Sequence, residues 1–252
     1  MPTQLPWKRG IIVGASSGIG EALARQLAAA GVSLALVSRR ADVLAQLAGE
    51  LTDGGCSGAI HVYAHDVADA GAVPTLFSQI ARDLGGVDLI IYAAGIMPKV
   101  ASGEYNTERD LGVIATNFSG SVAWLNEAAH RFTAARGGTI VGISSVAADR
   151  GRTKTPVYGA TKAAFDHYLE ALRNRIERHG AMVITIKPGP VATPMTAGLG
   201  KMPGMISAEQ AATETLNAMQ NGVRVAYIPG KWKLVMGIIC LIPSFIFKRM
   251  NI

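Results

Sequence analysis

The segment GISSVAADRGRTKTPVYGATK holds a serine, a tyrosine and a lysine at spacings that suit proton chemistry on an oxygen atom. Tyr158 and Lys162 are four residues apart, which on a helix puts both on one face. Ser145 precedes the tyrosine by thirteen residues, at the end of a β-rich run. A carbonyl reduced by hydride needs a proton at its oxygen, and a tyrosine with its ordinary pKa of about 10 is a poor donor near neutrality. An ammonium close by favours the phenolate and lowers that pKa, while a serine hydroxyl bonds the substrate oxygen. Ser144 is the neighbour most easily mistaken for the acting serine.

Hydride chemistry needs a carrier, and the stretch IIVGASSGIGEALA offers a place for one. Gly14, Gly18 and Gly20 form a GxxxGxG turn, with Ser16, Ser17 and Ile19 between them, where a branched apolar run gives way to helix-forming residues. Gly14 is expected to make the turn, and Gly18 and Gly20 to let the helix N-terminus approach a pyrophosphate. About twenty residues after the glycines an acid would bind a ribose 2′-hydroxyl, but Ser38, Arg39 and Arg40 stand there instead. An arginine fork suits a 2′-phosphate, so the expected cofactor is NADP(H). Asp66 and Val67 end the third β-rich run, where an acid reaches an adenine amino group.

These residues need a scaffold that brings strand ends together. Seven β-rich runs, beginning near Gly10, Val32, Ala59, Val87, Gly138, Met182 and Arg224, alternate with alanine- and leucine-rich segments of helical length. The pattern predicts an α/β fold of Rossmann type: a doubly wound, seven-stranded parallel sheet with helices on both faces. At 252 residues and 49% apolar composition, one large catalytic domain over 1–230 is expected, followed by an apolar and basic tail over 231–252. Cys56 and Cys240 lack any disulfide or zinc-ribbon spacing, and His61 and His65 lack further ligands, so no metal site is expected. MPTQLPWKRG lacks the apolar core of a signal peptide, and a cytoplasmic location follows as the expectation. The net charge of +6 is concentrated in the tail rather than spread as a nucleic-acid footprint, so no nucleic-acid partner is expected.

The ordered set GASSGIG, AHDV, YAAG, Asn117, ISS, YGATK and PGPVAT resembles the short-chain dehydrogenase/reductases in their single-domain form, over nearly the whole chain. The resemblance implies that Tyr158 is the acid/base, that Lys162 lowers its pKa and binds the nicotinamide ribose, and that Ser145 orients the carbonyl. It implies further that Asn117 supports a water-linked proton relay. Around the cofactor it implies roles for Ala93, Ala94 and Gly95, and for Pro188, Gly189, Val191 and Thr193, the last at the carboxamide. The family's usual NNAG or NAG reads YAAG here, so Ala93 or Tyr92 replaces an amide on the adenine side. A homodimer or homotetramer is implied as well.

The tail KWKLVMGIICLIPSFIFKRMNI has an uncharged stretch of fourteen residues, 234–247, interrupted by Pro243 and flanked by Lys231, Lys233, Lys248 and Arg249. That is short of the roughly 20 residues a spanning helix needs. It reads as a lid, a subunit interface or a segment lying on anionic lipid, giving peripheral contact with the inner face of a membrane. With MTAGL it also resembles short-chain reductases of lipid-linked keto-sugars, which implies an apolar or lipid-like substrate. Arg150, Arg152 and Lys154 read either as solvated loop charges or as partners of an anionic substrate group. The expected function is NADPH-dependent reduction of a carbonyl to an alcohol, or the reverse. The alternative is an NADP(H)-binding regulatory or membrane-associated scaffold without turnover.

Overall fold

A computed structural model describes residues 5–101, 103–200 and 202–250. The β-rich runs form strands β1 (Arg9–Val13), β2 (Ser33–Ser38), β3 (Ile60–Ala64), β4 (Leu89–Tyr92), β5 (Thr139–Ile143) and β6 (Met182–Pro188). A short pair follows, β7 (Val191–Ala192) and β8 (Ile206–Ser207), and then β9 (Val225–Ile228). The helices are α1 (Gly18–Ala29), α2 (Ala41–Asp53), α3 (Val73–Asp83), α4 (Thr107–Ile114), α5 (Gly120–Ala135), α6 (Pro156–Ile176), α7 (Ala208–Gln220), α8 (Lys231–Leu241) and α9 (Ser244–Phe247).

Seven strands form one parallel sheet in the order β3-β2-β1-β4-β5-β6-β9. The order reverses between β1 and β4, and a crevice opens there beyond the strand carboxyl ends, where open α/β sheets bind ligands. The central strands read as unbroken apolar runs because helices cover both faces. Ile12, Leu34 and Leu36 pack with Leu23, Leu27 and Leu216 on one side; Ile11, Val13 and Ile90 pack with Phe77, Trp124 and Phe165 on the other. Gly142 in β5 sets the distance to α6, since a Cβ there would stand 2.8 Å from Phe165 Cζ and overlap Leu169. The helix that carries Tyr158 and Lys162 is thereby seated directly on the sheet.

The tail folds as α8, a break at Pro243, and α9. No helix among the described residues is long and apolar enough to cross a membrane. Trp232 reaches Gly189 and Met236 is buried, whereas Leu234 (72% exposed), Ile238 (58%) and Leu241 (83%) line the outer face of α8. The loop between Ser145 and Tyr158 holds this tail in place. Arg150 donates hydrogen bonds to the carbonyls of Cys240 at 3.0 Å and Ile242 at 2.9 Å, where α8 leaves carbonyls unpaired, and its guanidinium lies 4.5 Å from the Phe247 ring centre. Arg152 contacts Met236 Sδ at 3.5 Å. Arg150 is thus neither a solvated charge nor free for a substrate, a role its sequence neighbours could not reveal because its partners lie some ninety residues away.

Candidate active site

The GASSGIG turn packs backbone closely on backbone. Gly14 has φ +92°, and a Cβ on it would stand 2.5 Å from the Ala94 nitrogen. A Cβ on Gly20 would overlap the Gly14 carbonyl, so α1 starts hard against β1 and the 93–95 segment. Ser17, the residue before α1, makes no side-chain cap, leaving the first-turn amides of that helix without a side-chain partner. The Ser17 hydroxyl instead accepts from Arg40 at 2.9 Å, and Ser16 accepts from the same guanidinium at 2.8 and 3.2 Å. Arg40 therefore stands beside the turn. Arg39 diverges from it, 61% exposed and 3.7 Å from Asp66.

The expected residues line one cleft of about 2040 Å³, with two exceptions. Gly14, Ser16 to Gly20, Arg39, Arg40, Val67, Ala93 to Gly95, Pro188, Gly189, Val191 and Thr193 face it, as do Ser145, Tyr158 and Lys162. Thr193 reaches across, so that a Cβ on Gly18 would lie 3.0 Å from its methyl. Asp66 does not line the cleft: its carboxylate accepts from Ala68 N at 3.0 Å and pairs with Arg39. His65 stands at that end of the cleft, bound through its backbone to Ser38 and edge-on to Trp124 at 5.6 Å. Burial holds its imidazole below the ordinary histidine range, against the pull of Asp69 and Asp66. In the sequence His65 stands out only as a metal-ligand candidate, and the strand period gives no sign of this position.

Asn117 is the second exception. It is fully buried in a π-helical turn, Ala115–Ser119, between α4 and α5. Its Oδ1 accepts from Ile96 N at 2.8 Å, and its Nδ2 donates to Ile96 O at 3.0 Å and Thr161 Oγ1 at 3.2 Å. The side chain fixes the cleft wall and does not touch the cleft. Tyr92, the departure from the family's asparagine, ties β4 to the same turn by donating to Thr116 O at 2.8 Å.

At the far end, Tyr158 stands beside Ser145, whose hydroxyl accepts from Ala147 N at 3.0 Å. Burial pushes the Tyr158 phenol above its ordinary value, and the Ser145 hydroxyl opposes it. Lys162 donates to Ile143 O at 2.8 Å, with its ammonium 5.9 Å from the Tyr158 ring centre. Burial lowers this lysine to about 8, opposed by Asp166. In this geometry the group that opposes the burial of Tyr158 is Ser145 and not Lys162. Behind Ser144 lies an ionic cluster in which Lys187 binds Asp149 and, at 2.8 Å, Asp166; Tyr227 donates to Asp149 at 3.0 Å. Burial opposes the Lys187 charge, but its hydrogen bonds to the two carboxylates keep the ammonium above its ordinary pKa. Nothing in the spacing of residues 149, 166 and 187 announces this cluster.

The family model described as short chain dehydrogenase matches residues 8–204. An uncharacterized oxidoreductase of Mycobacterium tuberculosis is 32% identical over 240 residues, 95% of this chain and 96% of that protein. A short-chain type dehydrogenase/reductase from Mycobacterium marinum superposes with a TM-score of 0.82 at 26% identity, covering 89% of this chain and 95% of that one. Actinorhodin polyketide ketoreductase, solved with NADPH, shares the fold with a TM-score of 0.79 at 22% identity, covering 90% and 97%. With the family model matching residues 8–204 and a relative 32% identical over 95% of the chain, the chain belongs to the short-chain dehydrogenase/reductase family of oxidoreductases.

Proposed function

We propose that the protein is an NADPH-dependent carbonyl reductase, or the reverse alcohol dehydrogenase, with Tyr158 as its proton donor. The observation that carries this reading is the pairing of Tyr158 with Ser145 above buried Lys162, in the same cleft as the GASSGIG turn. NADPH bound along that turn supplies the hydride. The chain's own residues do the rest. Gly14 makes the turn, Gly18 and Gly20 let the α1 N-terminus approach the pyrophosphate, the α1 amides bind it, and Arg40 with Ser16 receives the 2′-phosphate. Ser145 donates to the carbonyl oxygen and orients it, and Tyr158 Oη gives that oxygen its proton. Lys162 binds the ribose and stabilises the phenolate left behind, while Asn117 keeps the wall beside it in register. An apolar or lipid-like substrate fits the outward Leu234, Ile238 and Leu241, whose basic flanks suit peripheral contact with an anionic membrane.

Tyr158→Phe is expected to bind NADPH as the parent does and to lose on the order of 10²–10⁴-fold in turnover across a panel of carbonyls. Parental turnover in this variant would sink the mechanism. A parent that binds NADPH and turns over nothing in the panel would favour the scaffold reading. Arg40→Leu should weaken NADPH by at least about tenfold more than NADH, as the loss of a charge-assisted bond requires, and equal losses would remove the NADP assignment.

A further inference from the structure

A second pocket of about 510 Å³ opens between the 150–156 loop and the end of the tail. Arg152, Pro156, Lys248 and Met250 line both this pocket and the active-site cleft, so the two are contiguous. Three cations surround it, Arg150, Arg152 and Lys248, and among the described residues lining it there is no carboxylate. Arg150 is committed to the tail carbonyls and to Phe247. Arg152 is different: its Nε is buried without a hydrogen-bond partner, and its one contact through Nη2 is a thioether, a weak acceptor. Asp149, the carboxylate whose charge acts on Arg152, is itself bound by Lys187 and Tyr227. Lys248 forms no ion pair among the described residues. The Ser244 hydroxyl lines the same wall, and Pro156 begins the 21-residue α6, so a helix's positive end adds to the field. A half-buried guanidinium with an idle donor, an unpaired ammonium and no carboxylate among the described lining residues make a place where a dianion replaces lost hydration.

We propose that this annex is the subsite for a phosphate group on the substrate, held by Arg152 and Lys248 while the carbonyl of the same molecule lies at Ser145 and Tyr158. The proposal rests on the reductase reading for the second half of that sentence only. It also accounts for the end of the tail, because α9 and the residues that follow it complete a binding wall that the body of the protein lacks.

The test is direct titration with phenyl phosphate, followed by calorimetry, on full-length protein with and without saturating NADP⁺. Binding is expected in both conditions, with no binding of benzyl alcohol. Lys248→Gln and Arg152→Gln should each weaken it about tenfold, and Arg40→Leu should leave it unchanged. Lys248 is exposed, so its variant keeps the test sound even if Arg152→Gln loosens the tail. Equal affinity across the variants, binding lost only in Arg40→Leu, or benzoate bound as tightly as phenyl phosphate would overturn the assignment. Retention on vesicles of phosphatidylcholine and phosphatidic acid without binding of phenyl phosphate would also overturn it, in favour of a lipid headgroup. NADPH binding, read separately by fluorescence, divides the two claims. Its loss alongside Lys248-dependent phenyl phosphate binding would remove the reductase reading and leave the annex, and the opposite pattern would remove the annex alone.

Discussion

Lys162 is a charged group in a dry place, and replacing it with methionine makes the cost of that arrangement measurable. Its ammonium falls from an ordinary 10.5 to about 8 because burial penalises the charged form. At about 1.36 kcal/mol for each pKa unit, the fall corresponds to about 3 kcal/mol. The direction in pH follows from proton counting. Below pH 8 the lysine is charged in both folded and unfolded chains, and the folded state bears the whole cost. Between pH 8 and 10.5 the folded protein releases the proton while the unfolded chain keeps it, so stability rises with pH across that window. Lys162→Met removes the titration. Its stability relative to the parent should be greatest at pH 7 and should decline by about 3 kcal/mol by pH 10.5. The absolute gain at pH 7 is smaller, because the Ile143 carbonyl loses its 2.8 Å partner at a cost of about 1–3 kcal/mol. Urea unfolding of both proteins without cofactor at pH 7, 8, 9 and 10 reads the difference, in which other titrating groups cancel. A difference that stays level from pH 7 to 10 would refute the reasoning and mean that Lys162 is solvated. Stabilisation at pH 7 with loss of turnover would identify the buried ammonium as stability given up for chemistry.

Two further outcomes follow from contacts described above. Arg150→Ala should release α8 and α9, speeding protease cleavage after residue 230 while the sheet core keeps its unfolding midpoint within about 1 kcal/mol, as expected for a surface contact; an unchanged cleavage rate would mean that packing of Trp232 and Met236 holds the tail alone. Lys187→Met leaves Asp149 and Asp166 without their cation and should cost about 3–5 kcal/mol in urea unfolding at pH 7. A loss under about 1 kcal/mol would show the cluster to be hydrated.

What could be read from the sequence were features written into adjacent residues. The GASSGIG turn, the four-residue step from Tyr158 to Lys162 and the apolar runs of the seven-stranded sheet all belong to this kind, because backbone geometry and periodicity act over a few residues. The two arginines of the second strand end were legible as a pair but not in their division of labour. Only the fold sends Arg40 to Ser16 and Ser17 and leaves Arg39 to Asp66. Asp66 illustrates the same limit, since the sequence marks it for an adenine amino group and gives no sign of its contacts with Ala68 N and Arg39. The tail's anchorage by Arg150, the cluster of Lys187 with Asp149 and Asp166, and the annex beside Lys248 unite residues distant in sequence. No period or spacing encodes them. The two-residue strands β7 and β8 are too short to carry any alternation at all.

The π-helical turn at Ala115–Ser119 has a consequence for how this cleft can change. A π turn carries one residue more than the α-helix around it, so it works as a phase shift between α4 and α5. Deleting a single residue there would let the two helices run on as one and would rotate α4 by about 100° relative to α5, the angle of one helical residue. Asp110 on α4 and Tyr105 just before it line the cleft and would be re-aimed together, while β1 to β6 and Tyr158 stayed where they are. A one-codon deletion would thus exchange one wall of the cleft wholesale, a jump in specificity that no series of point substitutions reproduces.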